Sequence, residues 1–113
     1  MCVKAEQAID LYNKANHSEQ AGNLRLAEVY YLKSWSLFEQ AGGTHYLNAA
    51  NALNALAFLR WSCKNYDGAL RSARESMRIM DTYDHGISNP DADLIRNTSW
   101  ELIDRVSYEL SLI

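Results

Sequence analysis

The sequence predicts an all-α chain, an α-solenoid of antiparallel helix pairs, and three observations carry that reading. Apolar residues recur at helical spacing almost throughout the 113 residues. Strand signals are absent, since no alternating Val, Ile or Thr run is bounded by turn residues. The chain also repeats itself at a spacing of 42 residues. Ala8, Ala50 and Ala92 fall in register, as do Leu11, Leu53 and Ile95, and Ala15, Ala57 and Ser99. Further on, Asn23, Leu24, Ala27, Ser34, Trp35 and Leu37 fall on Asn65, Tyr66, Ala69, Ser76, Met77 and Ile79. Internal periods of this size mark stacked supersecondary units. Stacked helix pairs usually present a binding surface rather than a catalytic one.

Five helices are expected, in one domain over 1–113. The first runs from about Val3 to Ala21 and stops at Gly22-Asn23, a helix-ending pair. The second spans about Leu24 to Ala41 and stops at Gly42-Gly43. The third starts near Thr44, read as its N-cap, and continues to about Cys63. Lys64-Asn65 forms the next turn, and the fourth helix covers about Tyr66 to Tyr83. A looser loop from Asp84 to Asn89 follows. Pro90 suits the first turn of the fifth helix, with Asn89 as its cap and Asp91 and Asp93 at the positive end of the dipole. The units are therefore about 3–42 and 44–84, with a terminal helix at about 90–112. Short links make successive helices antiparallel neighbours. Small residues such as Ala27 and Ser34 let two helices approach closely, while a ring such as Tyr31 fills the groove between pairs.

Composition narrows the function classes. Hydrophobic residues make up 48%, as a folded domain requires, and the net charge of −3 is too mild to point to nucleic acid or a membrane surface as partner. No apolar run approaches the roughly 20 residues of a membrane helix. The start, Met1-Cys2-Val3-Lys4, lacks the apolar stretch of a secretion signal and the glycine of N-myristoylation. Two cysteines, Cys2 and Cys63, are too few for a disulfide framework, so reduced thiols in a cytoplasmic protein are expected. His17, His45 and His85 are scattered, without HExxH or CxxC spacing, and no glycine-rich phosphate loop occurs. No carboxylate pair sits in an apolar stretch as acid-base work would need. The expectation is a non-catalytic chain without cofactor or metal.

The pair Asn23-Leu24 with Ala27, repeated as Asn65-Tyr66 with Ala69, resembles the turn of tetratricopeptide repeats. The run Leu53-Asn54-Ala55-Leu56-Ala57-Phe58-Leu59 looks like the first helix of the longer variety found in kinesin light chains and many bacterial proteins. Asn89-Pro90-Asp91-Ala92 resembles the loop between its units. The resemblance covers residues 8 to about 104 and implies about two and a half units. HEAT or armadillo repeats have similar periods but lack this alanine signature. A four-helix bundle with a tail is the other alternative, and it would not need the register.

The resemblance implies that the first helix of each pair lines a concave groove. The stripe Asn51, Asn54, Phe58 and Trp61, spaced three, four and three, is then the groove face of the third helix. The same stripe reads Ile9, Tyr12, Asn16 and Glu19 in the first helix, and Asp93, Arg96, Trp100 and Ile103 in the fifth. Candidate partner-binding residues are therefore Tyr12, Asn16, Asn51, Asn54, Phe58, Trp61, Arg96 and Trp100. Amides can bond both groups of a peptide backbone, and aromatic and arginine residues are the usual anchors of interfaces. Rings at helical spacing are also common core residues, so Phe58 and Trp61 could simply pack against the second and fifth helices. Some members of the resembled family clamp a terminal carboxylate in this groove. Asn16 and Arg96 match parts of such a clamp, whereas Tyr12 stands where a lysine belongs.

Arg71, Arg74 and Arg78 share a face of the fourth helix and read as a solvated outer face. Cys63 reads as a small buried residue. Val106, Leu110, Leu112 and Ile113 keep the last helix apolar to its end, so either it contacts another copy or the natural protein continues. Two functions are expected as alternatives. One is an adaptor or scaffold that binds a protein or peptide segment. The other is a self-assembly module, a homo-oligomer joined through Val106, Leu110 and Ile113 or with its groove filled by a second copy.

Overall fold

The computed structural model describes residues 3–83 and 89–113. The described residues form helices α1 (Val3–Gln20), α2 (Leu24–Ala41), α3 (Tyr46–Ser62), α4 (Tyr66–Tyr83) and α5 (Pro90–Ser111), with a 3-10 turn at Gly43–His45 and no strand. The expected ends of α2 and α4 coincide with the observed ones. Of the expected loop from Asp84 to Asn89, residues 84–88 lie outside the described residues, as does Cys2.

The turns α1–α2 and α3–α4 are built alike, bond for bond. At the first, Gly22 N donates to Glu19 O at 3.0 Å and Asn23 N to Ser18 O at 2.8 Å. At the second, Lys64 N donates to Trp61 O at 2.9 Å and Asn65 N to Arg60 O at 2.8 Å. This is the Schellman closure, whose C′ residue takes a left-handed conformation. Gly22 adopts φ 83° and Lys64 φ 63°, so a non-glycine residue holds the second turn. Asn23 and Asn65 then cap the next helices, their Oδ1 atoms accepting from Leu26 N at 3.4 Å and Gly68 N at 3.1 Å.

The start of α3 differs from expectation. Thr44 falls inside the 3-10 turn, and the residue before α3 is His45, which makes no side-chain cap bond. The start of α5 is as expected, with Asn89 Oδ1 accepting from Asp91 N at 2.9 Å.

α1 packs on α2, α2 on α3, α3 on α4, and α5 on both α3 and α4. The shortest dimension, 20 Å, is about two helix diameters of ~10 Å. The core runs through Ala8, Ala27, Tyr31, Phe38, Ala50, Leu53, Leu56, Ile79, Met80 and Ala92, with a second cluster of Ala57, Ala73 and Leu102 toward α5. Alanines at the crossings allow close approach, and serines there bond the neighbouring backbone. Ser34 Oγ donates to Ala8 O at 2.7 Å and Ser76 Oγ to Ala50 O at 3.0 Å.

Two further expectations are corrected. Cys63, at the end of α3, is exposed, because the chain turns there and nothing folds back over it. Val106 is 0% exposed, because it lies on the inward face of α5 in line with Ile95, Ser99 and Leu102. A residue inside the fold offers no surface for self-association. Leu110 is half-buried, while Leu112 and Ile113 stand exposed, Ile113 at 90%.

Candidate functional site

The side chains expected on one groove face are divided among three places. Asn54 is inside the protein, 3% exposed. Its Nδ2 donates to Ile95 O at 3.2 Å, and its Oδ1 accepts from Ser99 Oγ at 2.9 Å. Both ends of the amide are used to join α3 to α5, so Asn54 leaves the candidate surface. Arg96 is committed as well: its Nη1 meets Asp81 Oδ1 at 2.8 Å, tying α5 to α4. Asn54 is bonded inside the fold and Arg96 is paired on its surface.

Tyr12 and Asn16 support the core from its edge. The Tyr12 ring meets Tyr31 edge-on at 5.6 Å between centroids. Tyr31 Oη lies 2.7 Å from Asn16 Oδ1 and 2.8 Å from Glu19 Oε1 and donates its proton to them. Burial, the hydrogen bond to Glu19 and the nearby carboxylate charge all push the Tyr31 hydroxyl well above the ordinary phenol range.

The exposed stripe of α3 keeps Asn51 and Phe58 of the expected one but not Asn54 or Trp61. Asn48, Asn51, Phe58 and Ser62 are exposed along it, with the half-buried Ala55 between them. Asn51 Nδ2 donates to Tyr12 Oη at 3.3 Å, which links α3 to α1. Asn48 and Asn51 together form the wall between two shallow hollows. One, of about 180 Å³, is bounded by Ile9, Tyr12 and Phe38; the other, of about 290 Å³, by Leu47, Asp91, Leu94 and Ile95. Ile9 and Leu94 are both exposed, so two accessible amides stand between two accessible aliphatic walls. Asn48 and Leu94 were not singled out from the sequence, and Asp91 only as a helix-start residue. The signal for Asn48 was its spacing of three from Asn51.

The aromatic residues go elsewhere. Phe58, 42% exposed, and the half-buried Trp61 have ring centroids 6.4 Å apart, and the Arg105 guanidinium lies 5.9 Å over the Trp61 ring. Trp100, expected in the same column as Phe58, is 55% exposed and lines a hollow with Arg74, Met77 and Ile103 on the α4 side. The structure therefore brings Tyr12 to Asn51, and Phe58 to Trp61, and takes Asn54, Arg96 and Trp100 to other surroundings.

Arg71, Arg74 and Arg78 are exposed, as expected for an outer face. Arg78 Nε bonds both carboxylate oxygens of Glu75 at 2.9 Å. That contact, with further help from Glu39, raises the Arg78 guanidinium above its already high range, so it stays charged. Among the described residues no helix is long and apolar enough to cross a membrane, and no group of three His, Cys, Asp or Glu side chains is placed to hold a metal ion. Comparison with family models, with curated proteins and with solved structures gives no match.

Proposed function

We propose that this chain is a non-catalytic interaction module, an α-solenoid of tetratricopeptide type, that captures an extended segment of a protein partner along α1, α3 and α5. The observation that carries the reading is the pair Asn48 and Asn51, exposed between the Ile9 and Leu94 walls. An extended peptide presents backbone amide groups alternating with side chains. Two carboxamides can bond that backbone while the hollows on either side take apolar side chains. The hydrogen bonds that recur at the 42-residue register support the solenoid part of the proposal. A cytoplasmic setting belongs to the same reading and rests on cysteine usage.

Selection of a displayed random peptide library on the purified protein tests it. Enriched peptides should lose binding by about tenfold or more with Asn48→Ala plus Asn51→Ala, the loss of one to two good hydrogen bonds. Peptides that bind the double variant as tightly as the natural protein would overturn the site.

The self-assembly reading is favoured by one observation, the exposure of Tyr108, Leu112 and Ile113 along the end of α5. Sedimentation over a range of concentrations tests it. A mass that rises with concentration and returns to the monomer value with Leu112→Glu supports it, and a constant monomer mass removes it.

A further inference from the structure

α4 and α5 run antiparallel, and the contacts across their seam fix the register. Asp81 meets Arg96 toward one end, Ser76 meets Ser99 in the middle, and Ala73 and Leu102 share a buried cluster further along. A step back along α4 is thus matched by a step forward along α5, which places Arg74 level with Glu101 and Arg71 level with Asp104. All four residues are exposed, and none of them makes an ion pair among the described residues. Their charged neighbours are already taken up, Arg78 by Glu75 and Asp81 by Arg96. Between the basic row and the acidic row opens a hollow of about 560 Å³. Its apolar walls are the half-buried Met77 and Ile103 and the Trp100 ring, which is 55% exposed.

A face that is basic along one helix, acidic along the next and apolar between them is complementary to itself. Half a turn about an axis lying along the seam, in the plane of contact, lays α4 of one copy over α5 of a second and leaves every level unchanged. Arg71 and Arg74 of each copy then face Asp104 and Glu101 of the other, and each Trp100 ring meets the hollow opposite. An axis across the seam would instead set arginine on arginine. We propose that the chain forms a two-fold dimer through this α4–α5 face. Trp100 is its anchor, since tryptophan and arginine are enriched among the residues that carry interface energy. The charge rows fix the orientation and select the partner, here a second copy. The face is separate from the Leu112–Ile113 end of α5 and from the Asn48–Asn51 stripe, and it does not depend on the peptide reading.

Sedimentation equilibrium of the whole chain tests it. The mass should rise with concentration from 12.9 kDa toward twice that value. Arg71→Asp alone and Asp104→Arg alone each set like charges face to face at both symmetry-related pairs, and each should weaken the dimer by about tenfold or more. Mixed in equal amounts, the two variants carry opposite charges at both pairs again and should recover the association. That recovery could not occur if Arg71 and Asp104 acted only within one chain. Trp100→Ala should weaken the dimer by about tenfold or more, and Leu112→Glu should leave it unchanged. All of these positions are exposed, and circular dichroism checks the helix content of each variant. A constant monomer mass overturns the proposal, as does a mixture that associates no better than the single variants. Association lost with Leu112→Glu and kept with Trp100→Ala also overturns it, because the contact would then lie at the end of α5.

Discussion

Ser76 donates its hydroxyl to the main-chain carbonyl of Ala50 at 3.0 Å, and the same bond occurs 42 residues earlier from Ser34 to Ala8 at 2.7 Å. All four residues are inaccessible to solvent. In each case a second helix pins its small-residue face to the backbone of the first. The helix carbonyl already accepts its intrahelical bond, so the serine is a second donor to it.

The two bonds to the carbonyls match, and Ser76 Oγ also accepts from Ser99 Oγ at 3.1 Å. Ser34→Ala and Ser76→Ala are each expected to cost about 1 kcal/mol, the net value of a neutral hydrogen bond. The sites belong to different helix pairs, so the double variant should lose close to the sum. Urea denaturation of the three variants checks this. A severe loss for Ser76→Ala beside none for Ser34→Ala would mean that the two crossings resemble each other in geometry and not in energy.

The two Schellman turns allow a test of opposite sign. Gly22 has nothing within 4 Å of where a Cβ would stand, so Gly22→Ala meets only the cost of a left-handed residue. A loss of about 1 kcal/mol is expected. Lys64 already bears that cost at φ 63°, so Lys64→Gly should gain up to about 1 kcal/mol. Thermal melts giving the same sign for both would show that the lysine side chain stabilises its turn by other means.

Much of the fold was legible because punctuation and register agree. Gly22-Asn23 and Lys64-Asn65 end and restart helices, and the small residues at Ala8, Ala27 and Ser34 recur at Ala50, Ala69 and Ser76. The groove face was less legible, for a physical reason. α3 is packed by α2, α4 and α5, and it buries Ala49, Ala50, Ala52, Leu53, Asn54, Leu56, Ala57 and Leu59, positions that cover all but one narrow stripe of the helix. A helix apolar over most of its circumference leaves little phase to read. The asparagine at 54 therefore looked like a surface amide, whereas the half-buried Ala55 lies nearer the exposed stripe. Arg96 was placed on the right helix, but a pattern on one helix says nothing of the Asp81 that meets it from α4. The Thr44 cap failed because Thr44 lies inside a 3-10 turn, which puts His45 at the N-cap of α3.

Burial of Asn54 makes its removal costly to the fold. Asn54→Ala should destabilise the protein by about 1–3 kcal/mol, because the Ile95 carbonyl and the Ser99 hydroxyl lose a buried partner. Asn54→Leu should do no better, since both polar groups would then face an apolar side chain. Denaturant midpoints check both variants. If Asn54→Ala keeps the natural stability, the α3–α5 bridge contributes nothing and the amide is free to serve another purpose.

Tyr31 should make stability fall in alkali. Its hydroxyl is raised above the ordinary phenol value of about 10, first by burial and then by the bond to Glu19. Below that value the phenol is protonated in both states, and its contribution is complete. As pH rises past about 10 the unfolded chain releases the proton while the folded chain keeps it, so unfolding is favoured by about 1.4 kcal/mol for each further pH unit, until the folded protein also ionises. Tyr31→Phe removes this slope and also removes the bonds to Asn16 and Glu19. The variant should therefore be less stable than the natural protein at pH 7 and close the gap above pH 10, even though other groups change the stability of both. Urea midpoints of the two proteins across pH 7 to 11 read the difference directly. A gap that stays constant across that interval would mean that Tyr31 ionises equally easily in both states, and that neither its burial nor Glu19 restrains it.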